Sequence, residues 1–239
     1  MSENWARKRE RKTEVKARAG EPSSMFTRCR VVGCNKSARA GTDDGLDTRF
    51  CRGHADQYAR HGSPYKRSYT AAELAPHRAA AEAWLDANAG DMWVRNAIDR
   101  VETLYKTSGP YVEAFRLRGL SAEQRAQAAW ARLRKAKIEP RKVVAAWLAV
   151  EFAITVDPQP ETKVEYKQVQ AAKLVHRMAS GSHKRWGEGP DAKELHVYPR
   201  SRGRVLRHLG RDIQGAVELL VDRLPIRALE SSSQATGHF

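Results

Sequence analysis

Cysteine is scarce in this chain: three residues in 239, all between positions 29 and 51. So small and odd a number excludes a complete disulfide framework and fits thiols that stay reduced, as in a cytoplasm. Nothing at the N-terminus has the make-up of a secretory signal, and no apolar run approaches the roughly 18 residues of a membrane helix. The expectation is a cytoplasmic protein with no membrane partner. A Gly-rich phosphate loop is missing, and so are paired carboxylates beside a lysine that would read as a metal-dependent nuclease. No catalytic residue is therefore assigned, and the reading leans away from an enzyme. Tyr65, Tyr69 or Tyr198 could attack a phosphodiester, but a lone tyrosine carries no signal.

Negative charge is scarce too. Lys and Arg number 43 against 28 Asp and Glu, a formal charge of +15. A chain this basic binds polyanions unless something prevents it. An arginine-rich genome, or an acidic protein or membrane surface as partner, would leave the same composition. Charge and the cysteine pattern together favour nucleic acid.

That pattern is Cys29-x4-Cys34, sixteen intervening residues, then Cys51-x2-His54. Zinc needs four soft or borderline donors at the corners of a tetrahedron, and each short-spaced pair supplies one edge. Gly33 lets the backbone turn between the first two ligands. Residues 55–60 read as one or two helical turns with His54 at their start. Four protein ligands leave no open position for water, so the expected Zn²⁺ is structural. No His-Asn-His arrangement follows the module.

Residues 29–64 resemble short zinc modules of the form C-x4-C…C-x2-H that close with an aromatic-containing helix and an Arg-His-Gly-x-Pro stop. Here the stop is Arg60-His61-Gly62-Ser63-Pro64. Such modules recur in bacteriophage and mobile-element proteins of actinobacteria and proteobacteria, HNH-type endonucleases and small DNA-associated proteins among them. The insert here is longer than usual and acidic (Asp43, Asp44, Asp47). The resemblance implies nucleic-acid work, in a bacterial cytoplasm or nucleoid, and names no reaction.

Residues 1–25 carry Arg7, Arg9 and other cations with almost nothing apolar after Trp5, a composition expected to be disordered in isolation. This basic arm is either a solvated tail or a tracker of phosphates. Lys66 and Arg67 interleave with Tyr65 and Tyr69, which would either stack on bases or strap two domains together.

From residue 70 the pattern turns helical. Thr70-x-x-Glu73 is a capping box, and Leu74, Ala81, Trp84 and Leu85 share a face, with Pro76 expected to kink or restart the helix. Asp91 caps a helix striped by Trp93, Val94, Ala97, Ile98, Val101, Leu104 and Tyr105. A shorter helix is expected from Tyr111 to Gly119. Ser121-x-x-Gln124 opens another, with Ala126, Trp130 and Leu133 inward and Arg125, Arg132, Arg134, Lys135 and Lys137 outward. The helix after Pro140 is apolar nearly all round and should form the centre of the core. A helix from residue 161 or 162 to Ser180 follows, with Gly181 as its C-cap residue.

Glu194 to Tyr198 reads as a strand. A hairpin near 183–198 would suit a winged helix, with Lys184, Arg185 and Trp186 on the wing. In the last helix Val205, Leu206, Leu209, Ile213, Val217, Leu220 and Leu224 share one face. Arg204, Arg207 and Arg211 form a basic stripe, which Arg200 and Arg202 extend backwards.

The chain thus reads as mainly α: a basic arm at 1–25, a zinc-binding module at 26–67, a multi-helix domain at 70–228 and a flexible tail at 229–239. Its expected work is nucleic-acid binding, DNA ahead of RNA, in replication, regulation or recombination of a phage or mobile element. The cations expected to contact nucleic acid are Arg7, Arg9, Arg30, Lys36, Arg52, Arg60, Lys66, Arg67, Lys184, Arg185, Arg200, Arg202, Arg204, Arg207 and Arg211, with Trp186 beside them. Two alternatives stand: a nuclease or recombinase with an unrecognised active site, and an adaptor that docks other proteins of a nucleoprotein complex.

Overall fold

A computed structural model describes residues 3–20, 28–38, 40–42, 45–187, 193–200 and 203–224. The chain divides into two compact units, Met1–Arg67 and Ser68–Phe239. Among the described residues no helix is long and apolar enough to cross a membrane. The expected tail at 229–239 lies outside them.

The N-terminal unit begins with α1, Glu3–Gly20, where the sequence reading expected disorder. The composition explains the difference, because Ala, Arg, Lys and Glu are strong helix formers even with nothing to bury. Residues 8–17 are all exposed, so along that stretch the helix rests on its backbone ladder and residue propensities rather than on packing. Strands β1 (Ala40–Thr42) and β2 (Gly45–Asp47) form an antiparallel hairpin, Ala40 opposite Asp47. Helix α2, Arg52–His61, closes the module. It stops at Gly62, whose φ of +78° is the left-handed conformation that glycine adopts without steric cost. Buried Ser63 then receives the N–H groups of Tyr65 (3.2 Å) and Lys66 (3.1 Å) on its hydroxyl.

The second unit is built around α6, Pro140–Val156. Every residue from Val143 to Ile154 is buried, Glu151 among them, as expected of a helix without a polar face. Helices α3 (Ala71–Ala87), α4 (Met92–Thr107), α7 (Val164–Arg177) and α8 (Arg204–Val221) pack on it, and α5 (Ala122–Lys135) packs against α4 and α8. Both capping boxes are formed, Thr70 with Glu73 and Ser121 with Gln124, and the Asp91 carboxylate accepts the N–H groups of Trp93 and Val94. Buried Glu151 is satisfied on both oxygens, by the Trp147 indole N–H (3.1 Å) and the Lys167 ammonium (2.6 Å). The seven apolar residues predicted for the last helix are all buried.

Several elements differ from the sequence reading. Helix α3 runs through Pro76 without restarting, with Leu74, Ala81 and Leu85 of its packed face buried on both sides of the proline. Residues 111–119 hold only a 3₁₀ turn, Ala114–Leu117, with none of its residues buried. Helix α7 is shorter than expected, and Met178 rather than Gly181 follows its last residue. Gly181 serves a different purpose: a Cβ there would lie 2.2 Å from the Val197 carbonyl oxygen. That contact belongs to a second antiparallel hairpin, β3 (Ser182–Trp186) with β4 (Lys193–Val197), which puts His183 opposite His196.

Candidate metal centre and basic surfaces

The first ligand pair lies on a tight turn. The Cys34 N–H donates to the Val31 carbonyl (3.0 Å), the Cys29 N–H to the Lys36 carbonyl (2.9 Å), and Gly33 supplies φ +78°. The second pair belongs to a helix start. Cys51 is the N-cap of α2 and its carbonyl accepts from Ala55 (2.8 Å), which puts His54 in the first turn beside it. The Arg30 N–H donates to the Arg49 carbonyl (2.9 Å) and ties the two pairs together. Beneath them Cys29, Val31, Phe50, Cys51 and Ala55 form a small buried cluster, with Cys34 and Tyr58 against it.

One donor atom from each of Cys29, Cys34, Cys51 and His54 lies within 4.8 Å of all the others. The Cys34 and Cys51 sulfurs are 3.9 Å apart, and His54 Nδ1 is 3.3 Å from the Cys29 sulfur and 3.4 Å from that of Cys51. A zinc tetrahedron with ordinary bond lengths has S–S edges of about 3.8 Å and S–N edges of about 3.6 Å. These three separations lie close to such edges, and a sulfur pair at 3.9 Å is far from a disulfide. The set is compatible with a zinc-type site.

Ionisation of the thiols follows from their places. Burial works against a Cys51 thiolate. Backbone N–H groups at the start of α2, from His54 and Gly53, and the neighbouring Cys29 and Cys34 outweigh it, and the pKa falls below the usual thiol value. At Cys34 the Lys36 N–H favours the thiolate, but burial and the other two sulfurs prevail and the pKa rises.

The hairpin insert is fastened by its own charges. Asp47 accepts the N–H groups of Arg49 (2.7 Å) and Phe50 (3.2 Å), and its carboxylate pairs with the Arg49 guanidinium (3.2 Å). Arg49 in turn lies 5.2 Å from the ring centres of both Phe50 and Tyr58. The acidic insert thus serves the module's own packing at Asp47; Asp43 and Asp44 lie outside the described residues.

Of the cations assigned to nucleic acid, Arg9, Arg30, Lys36, Arg52, Arg60 and Arg67 are exposed in the N-terminal unit, as is Arg28, and Lys66 is half-buried. Arg52 also bonds to the Gly41 carbonyl (2.5 Å) and pairs with Asp56 (3.3 Å). The side chain of Arg7 lies outside the described residues, as does Arg202. Tyr65 is exposed, whereas Tyr69 packs on the core of its unit and donates to Asp157 (2.5 Å).

In the second unit the basic stretches are partly neutralised. Lys184 pairs with Glu113 (2.9 Å), Arg185 with Glu194 (3.7 Å), and Arg207 with Glu165. Arg200, Arg204, Arg211 and Trp186 are exposed.

Two features escaped the sequence reading. Arg132, placed outward by helical spacing, is buried and donates to the His176 carbonyl (2.7 Å). The alanines at 126, 128, 129 and 131 were the available signal, since a helix with so many small side chains can be covered on two sides. His183 and His196 touch through their Nδ1 atoms across the β3–β4 hairpin, and Glu194 bonds to His196 (3.1 Å). Thirteen residues apart, the two histidines meet only through the strand register. Comparison of the chain with family models, with curated proteins and with solved structures found no match.

Proposed function

We propose that the chain is a nucleic-acid-binding protein, DNA ahead of RNA, whose N-terminal unit is held in shape by one structural zinc ion. The observation that carries this reading is the Cys29–Cys34–Cys51–His54 set, its donor atoms all within 4.8 Å of one another, on a module whose Arg28, Arg30, Lys36 and Arg60 are exposed. The bound ion supplies a cross-link between the Cys29–Cys34 turn and the start of α2, and with four protein donors it has no position for a reacting water. Arginine and lysine then contact phosphates, which positions the protein without reading sequence. The resemblance of residues 29–64 supports a phage or integrated-element setting in replication, regulation or recombination.

The test is a competition in which a labelled duplex is displaced from the full chain by unlabelled duplex DNA, single-stranded DNA and RNA of equal length. Displacement at the lowest concentration by duplex DNA is the expected result. Equal displacement by all three, and by heparin, would reduce the reading to generic polyanion binding.

A further inference from the structure

The second unit contains a cavity of about 670 Å³ between residues 112–119, α5, His176 of α7, residues 197–200 and the start of α8. Its size is that of ordinary small-ligand sites. What distinguishes it is the charge of its walls. Among the described residues Arg118, Arg125, Arg132 and Arg200 line it, and no carboxylate does. Among the described residues, none of these four guanidinium groups pairs with an acid.

Arg132 makes the argument specific. It is only 6% exposed, and one terminal nitrogen is used on the His176 carbonyl, yet its buried Nε has no hydrogen-bond partner. Burial pulls its pKa below the usual arginine value, with no carboxylate to oppose the shift. A cation held out of water without an anion is costly, and the arrangement makes physical sense if an anion enters beside it. His176, also on the wall, is kept neutral: burial and the nearby Arg132 and Arg177 push its pKa down to about 3. It can therefore exchange a neutral hydrogen bond with an occupant without adding charge.

Apolar and aromatic side chains line the same cavity: half-buried Phe115, exposed Tyr198, and Val197 and Pro199. Arginines and aromatic rings lining one cavity suit a molecule that carries both a phosphate and a planar group. We propose that this cavity binds a nucleoside monophosphate group, the phosphate held by Arg132, Arg118, Arg125 and Arg200 and the base laid against Phe115 and Tyr198. The group has two possible sources, a free mononucleotide and the 5′-phosphorylated end of a strand. The inference does not depend on the zinc module or on the phosphate-tracking surface.

Isothermal titration calorimetry of the full chain with AMP, GMP, CMP and UMP tests it, with adenosine and inorganic phosphate as controls. At least one monophosphate is expected to bind at least tenfold more tightly than either control. The double variant Arg118→Ala/Arg200→Ala changes two exposed side chains, so its fold should be intact by circular dichroism. It should weaken binding at least tenfold, and Arg132→Met should do the same.

A 5′-phosphorylated oligonucleotide that binds through this site should beat its 5′-hydroxyl twin tenfold, with the advantage lost in the double variant. That result supports the site and assigns it to strand ends; monophosphate binding without the advantage supports it and assigns it to free nucleotides. Absence of binding by every monophosphate and by the phosphorylated strand, or unchanged affinity in the double variant, would overturn the proposal. Phosphate alone binding as tightly as the nucleotides would overturn the role given to Phe115 and Tyr198.

Discussion

Cys51 shows how much one side chain can be asked to do. It stands at the N-cap of α2, where N–H groups favour its thiolate, and its sulfur is 3.9 Å from that of Cys34 and 3.4 Å from His54 Nδ1. Cys51→Ser puts a capping hydroxyl at the N-cap but removes a thiolate donor, and three donors hold zinc far less well than four. Elemental analysis should find one zinc per chain in the wild type and almost none in the variant. Circular dichroism should lose about what a helix as short as α2 contributes, while the helical unit stays folded. Wild-type zinc content in Cys51→Ser would contradict the ligand set.

His176 carries the second residue-scale prediction. Its pKa in the folded chain is pushed down to about 3, below the ordinary histidine value of about 6.5. The unfolded chain therefore takes up a proton that the folded chain refuses. Stability should fall as pH drops below about 6.5, by at most about 1.4 kcal/mol per unit, until the folded form also protonates. Urea midpoints followed by tryptophan fluorescence should show this slope in the wild type and a shallower one in His176→Gln. Equal slopes would contradict it. The Cys29–Cys34–Cys51–His54 cluster was legible in the sequence because each of its two pairs has local spacing. Arg132 and His176 were not, because what buries them is each other and neighbours far along the chain.

At the scale of elements, α8 offers a controlled comparison. Gly210 lies where α8 crosses α7: a Cβ there would be 2.5 Å from the Gln168 carbonyl oxygen and 2.7 Å from the Gln168 Cβ. At Gly215 in the same helix nothing lies within 4 Å. Alanine ordinarily stabilises a helix interior over glycine by about 0.5–1 kcal/mol, and Gly215→Ala should gain that amount. Gly210→Ala should instead lose roughly 1–3 kcal/mol, because backbone of α7 has to move. Thermal melts of the pair should shift in opposite directions, and a shift of the same sign would contradict the close approach. The continuous apolar faces of α6 and α8 were readable, and so were the capped starts of α3, α4 and α5. Pro76 misled the reading because the packed face of α3 continues on both sides of it. The 111–119 stretch misled it because three apolar residues suggested a face that the turn does not bury.

At the scale of the whole molecule the dominant fact is the formal charge of +15. Sequence shows that charge but not where the structure places its cations. The structure shows Lys184, Arg185 and Arg207 in ion pairs, and Arg28, Arg30, Lys36 and Arg60 exposed around a zinc-type donor set. Phosphate contact by cations of the second kind releases counterions from the duplex, so affinity must fall steeply with salt. A binding mode that relied on the apolar or aromatic surface would lose much less.

The most direct measurement is a fluorescence-anisotropy titration of a labelled duplex with the full chain, at about 50 and about 200 mM salt. Six or more phosphate contacts predict a loss of affinity of about 10³ or greater between the two conditions. Binding that is absent at the lower salt, or that weakens less than about tenfold at the higher, would contradict phosphate contact as the basis of the protein's function.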